Sequence, residues 1–345
     1  MTRQKKGIYV LTIILLVIFY GLILGLSKIG ILNKYSFTVL RLVCINIILA
    51  VSLNITVGNL GQITLGHAGF MSIGAYTAAM FLKSGILHGI AGYLISLLLG
   101  GILACLIGIL IGIPALRLKG DYLAIVTLAF GEIIRVLIEN AEFLGGAQGL
   151  SGIPKMQNLA IIYLLMCICV ALMFSIMTSR HGRAVLAIRE DEIAAESSGI
   201  NVTYYKTFAF ALSAFFAGIA GAMYASNIGV IGAKVFDYNK SFDILVMVVL
   251  GGMGSFTGAI FSSFVLTIIP EFLRSVSDYR MIAYSLLLIL MMIFRQEGLL
   301  GRKEFSLTGL VKAIVHRKEG AKNDRNPKVW KCRNNLWRTK GSFQL

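Results

Sequence analysis

Between Ile8 and Phe294 one apolar stretch follows another, most of them near the length that crosses a bilayer, and this repetition limits what the chain can fold into. A spanning helix needs roughly 20 apolar residues. The candidates are 8–26, 37–57, 63–82, 86–113, 122–138, 159–178, 206–229, 242–269 and 281–294. They are continuous in Leu, Ile, Val, Gly and Ala and do not alternate with period two, which favours helices over a membrane barrel. Hydrophobic residues make up 57% of the 345 positions, charged residues 14%, and the mean hydropathy is +0.82. A soluble domain of this size could not hide so much apolar surface. In lipid, only helices and closed barrels satisfy the backbone. The expected fold is therefore an all-α polytopic membrane bundle.

Charge sets the expected orientation. Arg3, Lys5 and Lys6 precede the first stretch, and residues 302–345 carry twelve Lys/Arg against three Asp/Glu. Both flanks read as cytoplasmic by the positive-inside rule. The first stretch exceeds a signal-peptide core and no small-x-small cleavage site follows it, so it reads as an uncleaved span. Two cytoplasmic ends require an even number of crossings, whereas nine stretches are visible. Stretch 242–269 is long and interrupted by Gly251, Gly252 and Gly254, and two short segments there would restore the balance; a re-entrant 63–82 is the other option. The expectation is eight to ten helices, ten preferred. Arg117 and Lys119 then fall inside, loop 139–157 outside and loop 179–205 inside.

Two segments stand out from plain lipid-facing helices. Asn54 to Ala79 sets Asn54, Asn59, Gln62, Thr64 and His67 among glycines at 58, 61, 66, 69 and 74. Polar groups at that depth must face protein or a water-filled cavity. The plainer reading is a packing seam with one satisfied histidine. Ser179 to Val202 is short, amphipathic and charged. Val185 and Ile188 share one face, Arg189, Glu190, Asp191 and Glu192 form a polar block, and Gly199 with Ile200 reads as a helix end. A surface helix and a docking helix for a cytoplasmic partner both fit this composition.

Other features weigh less. Gly66-His67-Ala68-Gly69 followed by Gly74-Ala75 is similar to Gly251-Gly252-Met253-Gly254 followed by Gly258-Ala259, as an internal repeat around a path would be. Glu132 and Arg135 lie three apart in an apolar run, as a coupling site or as a mutually satisfied pair. Arg41 near a span end reads as a snorkelling anchor. The cysteines show no CxxC and no ligand cluster, so no metal site is expected.

Taken in order, several of these stretches resemble one family. GQITLGHAGFMSIGAY, LRLKGDYLAIVTLAFGEIIR (Leu116 to Arg135), GGAQGLSGIP (Gly145 to Pro154), GRAVLAIREDEIAAESSGI and VLGGMGSFTGAI (Val249 to Ile260) are similar to segments of the permease subunits of branched-chain amino-acid ABC importers. The AIREDE run favours the LivM type over its LivH-type sister. The resemblance covers roughly Leu40 to Gly301, and the segment after Gly301 departs from the usual family ending.

The resemblance implies an ABC importer permease fold with pseudo-symmetric halves in residues 1–301, multi-pass in a bacterial inner membrane. Loop 179–205 would be the cytoplasmic coupling loop, and 302–345 a basic cytoplasmic tail, expected to be disordered. The partners implied are a LivH-type permease, two cytoplasmic ATPase subunits and an extracytoplasmic amino-acid-binding protein, with no nucleic acid. A single helix from Arg183 to Ser198 would seat on the ATPase, with Gly182, Arg183, Ala187, Arg189, Glu190, Asp191, Glu192, Ala195 and Gly199 as its motif. Asn54, Gly61, Gln62, Gly66, His67, Gly69, Phe70, Gly74, Thr127, Glu132, Gly251, Gly252 and Gly254 are the candidate path residues. No GxxxxGK[ST] occurs, so ATP and magnesium would bind on partner chains and this chain would be no enzyme.

The substrate implied is leucine, isoleucine or valine, although related permeases are thought to move urea, short amides or other amino acids. From other classes, an ion-coupled carrier would use Glu132 as a titrating site and leave the 183–198 helix without a purpose. A membrane-embedded enzyme would need a catalytic cluster that no HExxH or serine elbow supplies.

Overall fold

Asparagine and aspartate set where several helices begin, and glycine sets where others break. The computed structural model describes residues 34–87, 89–118 and 120–272, together with Ser285 and Ile289, both helical. The span expected at 8–26, the rest of 281–294 and the tail from 302 lie outside the described residues.

Helix α1 covers Lys34–Asn54 and runs on into a π-turn, Ile55–Asn59. Then come α2 (His67–Lys83), α3 (Gly89–Ala115), α4 (Asp121–Asn140) and α5 (Leu159–Thr178). Two short helices, α6 (Arg180–Glu190) and α7 (Glu192–Ser197), lead into α8 (Val202–Ile228). The last are α9 (Tyr238–Gly251) and α10 (Phe256–Phe272). Side-chain oxygens of Asn158, Asp191, Asn201 and Asp237 accept backbone N–H groups in the first turns of α5, α7, α8 and α9. Each satisfies donors that a helix start leaves unpaired. The stretch 242–269 is thus two helices, parted where Gly252 (φ 105°) and Gly254 (φ 93°) turn the chain.

Helix α8 is the hub. Alanine and glycine recur along it, and Ala209, Ala214, Ala217, Ala220, Ala222 and Ala225 have no exposed surface. Small residues let helix backbones approach in a membrane, where no hydrophobic effect drives helices together. The closest seam joins α2, α3 and α8. A Cβ on Gly74 would stand 2.1 Å from the Gly218 carbonyl oxygen, and one on Gly218 would stand 2.7 Å from that of Gly100. The outer face of α3 is apolar and bare: Leu98, Ile102, Leu106 and Leu110 are exposed. Four helical segments among the described residues are long and apolar enough to cross a membrane: Tyr35–Asn59, Gly89–Ala115, Leu159–Thr178 and Val202–Ile228.

The packing also gives direction. Gly100 of α3 meets Gly218, and Gly112 meets Phe210, so α3 runs antiparallel to α8 and Ala115 lies at the Val202 end. The links α6 and α7 lie at that same end. At the opposite end, β1 (Leu150–Ser151) pairs antiparallel with β2 (Val230–Ile231). Ile153 and Met156 add bonds to the Gly229 and Ser226 carbonyls there. Arg117 therefore shares an end with α6, while Glu142 sits at the ladder end, as the loop charges anticipated.

Candidate functional site

The amphipathic pattern of 179–202 folds as two helices, not one. Helix α6 stops at Glu190, Asp191 takes an extended φ of −155°, and α7 starts behind it. The expected single helix from Arg183 to Ser198 is therefore corrected. Asp191 is the reason: its Oδ1 accepts the N–H groups of Ile193 (2.9 Å) and Ala194 (3.0 Å), which a continuous helix would have used internally. The far end is as read. Gly199 has φ 83°, its N–H reaches the Glu196 carbonyl, and the Ile200 N–H reaches that of Ala195, a Schellman motif.

The polar block divides by direction. Val185, Ile188 and Ala195 are buried, Ala187 is partly buried, and Gly182 is packed against the Met177 carbonyl, where a Cβ would stand 1.9 Å away. Glu192 accepts from the buried Lys206 Nζ at 2.8 Å, tying α7 to α8. Arg183 and Glu190 are exposed. Leu186 (37%) and Ile193 (76%) are exposed as well. Sequence reasoning missed these two apolar residues, because a lone Leu or Ile in a charged segment gives no signal until the helix break shows which way it points.

Arg189 points inward. Its guanidinium donates to the Gly58 carbonyl at 2.6 Å, across 131 residues of sequence. Around it, a Cβ on Gly61 would stand 3.0 Å from Arg189 Cγ, and a Cβ on Gly254 would stand 3.0 Å from the guanidinium. Asn54 locks the floor of this site. Its Oδ1 accepts the Gly254 N–H at 2.9 Å and its Nδ2 donates to the Ser255 carbonyl at 3.1 Å. Asn54, Gly61, Gly254 and Arg189, which come from three separate stretches of the sequence, thus meet at one place. Gly58 and Ser255 complete it, and nothing in their residue types sets them apart from neighbouring small residues. Gly251 and Gly252 flank the second break, with Gly251 packed on Gly258.

The remaining path candidates lie in the turn before α2 and along α2 and α4. Gly66 and Gly69 pack on α4, where a Cβ on Gly66 would stand 2.3 Å from the Thr127 carbonyl oxygen. Thr127 Oγ1 accepts the Leu65 N–H. His67 Nε2 lies 2.9 Å from Ser52 Oγ. That hydroxyl also lies 2.9 Å from the Leu49 carbonyl. The Ser52 carbonyl accepts from Ser213 Oγ, so α1, α2 and α8 are stitched at one level. Phe70 meets Phe210 edge-on, and Gln62 bonds through its backbone to Thr56. Glu132 pairs with Arg135 (2.7 Å), which also holds Glu139 (2.8 Å). A crevice between α2, α4 and α9, lined by Gly69, Gly131, Glu132, Tyr238 and Ser241, has no room for a water molecule. No group of three metal-binding side chains occurs among the described residues.

Comparison with known proteins points one way. The model of the branched-chain amino acid transport system / permease component family matches residues 35–295. The high-affinity branched-chain amino acid transport system permease protein LivM of Salmonella typhimurium is 36% identical over 266 residues, 67% of this chain and 62% of that protein. LivM of Escherichia coli is 35% identical over the same shares. LivH of Escherichia coli is 34% identical over 137 residues, 39% of this chain and 44% of its own. The chain thus spans less than two thirds of the LivM proteins it matches. No solved structure matches it.

Proposed function

Since this chain belongs to the branched-chain amino acid transport permease family, whose members are polytopic helical membrane bundles, we propose that it is a membrane subunit of an ATP-driven importer of leucine, isoleucine and valine. Its sister is a LivH-type permease, and the path for the amino acid runs through the pair. Two ATPase subunits, which hold ATP and magnesium, dock on the cytoplasmic side of the complex, and α6 and α7 seat on an ATPase there. A binding protein delivers the substrate at the ladder end, which faces away from the cytoplasm. The membrane is the bacterial inner membrane, with both chain termini inside.

The observation that carries this reading is the Arg189–Gly58 contact, which joins a surface helix to the helix breaks inside the bundle. A nucleotide shifts the balance between inward- and outward-open forms only if the ATPase grips the coupling element differently in each. For that, a grip at the surface must be felt in the membrane, and Arg189 supplies a contact that can carry it. The outward face (Arg183, Leu186, Glu190 and Ile193) is left for the ATPase. Leu186 and Ile193 give that face two exposed apolar side chains for the ATPase to bury.

The test is reconstitution with the sister permease, the ATPases and the binding protein. Leu186→Asp/Ile193→Asp is expected to abolish ATPase co-purification and ATP-driven leucine uptake, with little change in melting temperature. Wild-type protein that moves leucine without any associated ATPase would sink the importer reading in favour of a carrier. ATP-driven uptake of urea or a short amide in place of leucine would move the substrate and keep the mechanism.

A further inference from the structure

A π-turn is uncommon and often marks a functional site, because one extra residue in the turn upsets the regular hydrogen-bond ladder. Here the Leu60 N–H reaches back to the Ile55 carbonyl at 3.1 Å, and the Gln62 N–H to the Thr56 carbonyl at 3.0 Å. The carbonyls at the end of such a helix have no partner within it. That of Gly58 takes its partner from α6 in the form of the Arg189 guanidinium, a charge-assisted bond stronger than an amide–amide one.

The space around Arg189 is shaped for it. Gly61 (φ 75°) flanks the aliphatic stem, Gly254 (φ 93°) flanks the guanidinium, and neither can carry a Cβ without crowding that side chain. Gly58 is confined more tightly, with a hypothetical Cβ 2.0 Å from Asn54 Oδ1 and 2.3 Å from the Gly254 N. The two glycine-broken helix pairs, α1–α2 and α9–α10, therefore meet at a slot that the arginine fills. Beside it, Asn59 Nδ2 and Gln62 Oε1 are buried and find no hydrogen-bond partner among the described residues. A buried orphan of this kind typically costs about 1–3 kcal/mol, so a rearranged turn that pairs them has free energy to gain.

We infer that Arg189 is a positioning residue that ties the coupling helix to both broken helix pairs, so that displacement of α6 releases the π-turn and shifts the two breaks together. The inference rests on the importer reading for its role in transport, but the tie itself is a property of this chain. It also separates two functions within one motif. Arg189 faces the bundle and transmits, while Glu190 beside it faces outward and receives.

The experiment compares wild type with Arg189→Gln, Arg189→Lys and Gly254→Ala in the assembled complex. Three readouts are followed: ATPase co-purification, leucine moved per ATP hydrolysed, and hydrogen exchange at the Leu60 and Gln62 amides. Arg189→Gln is expected to keep its ATPases, to lower leucine moved per ATP about tenfold, and to speed exchange at both amides. Arg189→Lys keeps a charge and a donor group for the Gly58 carbonyl, so it recovers amide protection and part of the coupling. Gly254→Ala crowds the slot from the far side and reproduces the loss without touching α6. Loss of the ATPases from Arg189→Gln would make Arg189 a docking residue and overturn the inference. Unchanged amide exchange or a wild-type transport ratio would overturn it as well. If wild-type protein binds no ATPase, the importer reading fails, while the exchange comparison still decides whether Arg189 holds the turn.

Discussion

Asn54 Oδ1 accepts the backbone N–H of Gly254 at 2.9 Å, although the two residues are 200 apart in the sequence. The Asn54 side-chain amide also donates to the Ser255 carbonyl, which takes the Ala259 N–H as well, so one buried side chain serves as both acceptor and donor to the backbone at the break. Asn54→Leu removes both bonds and leaves the Gly254 N–H unpaired, at about 1–3 kcal/mol, while the Ser255 carbonyl keeps the Ala259 N–H. Thermal unfolding in detergent should show a clear drop for Asn54→Leu. Asn54→Asp keeps the acceptor, loses the donor and buries a charge, and should recover little.

The α2–α3–α8 seam predicts a steep contrast between glycines. Gly74→Ala drives a methyl into the Gly218 carbonyl and should cost at least about 1–3 kcal/mol, the usual scale for overpacking. Gly232 has an ordinary extended φ of −123°, and a methyl added there would meet nothing within 4 Å. Gly232→Ala should unfold within a degree or so of wild type, about the scatter of surface substitutions. Equal losses at the two sites would show that the seam is not tight.

Helix α7 is held by Lys206, which is 5% exposed, against Glu192. Removing one partner of a buried pair strands the other. Glu192→Ala should cost about 2 kcal/mol, less than for a fully enclosed pair because Glu192 is one-third exposed. The double variant Glu192→Leu/Lys206→Met should regain part of it. A double-mutant cycle with zero coupling energy would show that the pair merely coexists.

Gly199 closes α7 with φ 83° and open space around it. Gly199→Ala therefore meets no clash, only the penalty for a side chain in the left-handed region, about 1 kcal/mol. Gly199→Asn, which tolerates that region better, should fall between the two. Circular dichroism melts of the three proteins would rank them.

Glu132 bears on the carrier alternative. It sits with Glu139 on Arg135, and the three side chains are only a fifth to a quarter exposed. As a structural pair, Glu132→Gln should lower stability by no more than about 1 kcal/mol. The pH dependence of uptake should be unchanged. A pH dependence that vanishes with Glu132→Gln would make this carboxylate a coupling site.

The helices were legible in the sequence wherever a long apolar run ended in a recognisable cap. The observed α5 has the bounds read from its hydropathy alone, and Gly199 with Ile200 marked the end of α7 correctly. Local signals of this kind depend on neighbouring residues. The break at Asp191 was hidden because aspartate is also unremarkable in an exposed helix; only the geometry of its side chain decides. The junction at Arg189 was hidden for a different reason. Its members were each noticed, but a carbonyl has no identity in sequence, and the contact is made to the Gly58 backbone. The candidate path residues include two glycines, Gly61 and Gly254, that flank an arginine stem and head.

The seam joining Gly74, Gly100 and Gly218 has a consequence for how such a molecule moves. Side chains that interdigitate can slip by changing rotamer, and a contact made of them holds several arrangements in reserve. A contact made of bare backbone has one. The three helices it joins are therefore held as a single casting, and the chain bends where it enters that casting, at residues 60–66, where it is already out of helix. Such a casting is also brittle to change over generations: it is inherited whole or lost, with no graded series of side chains between.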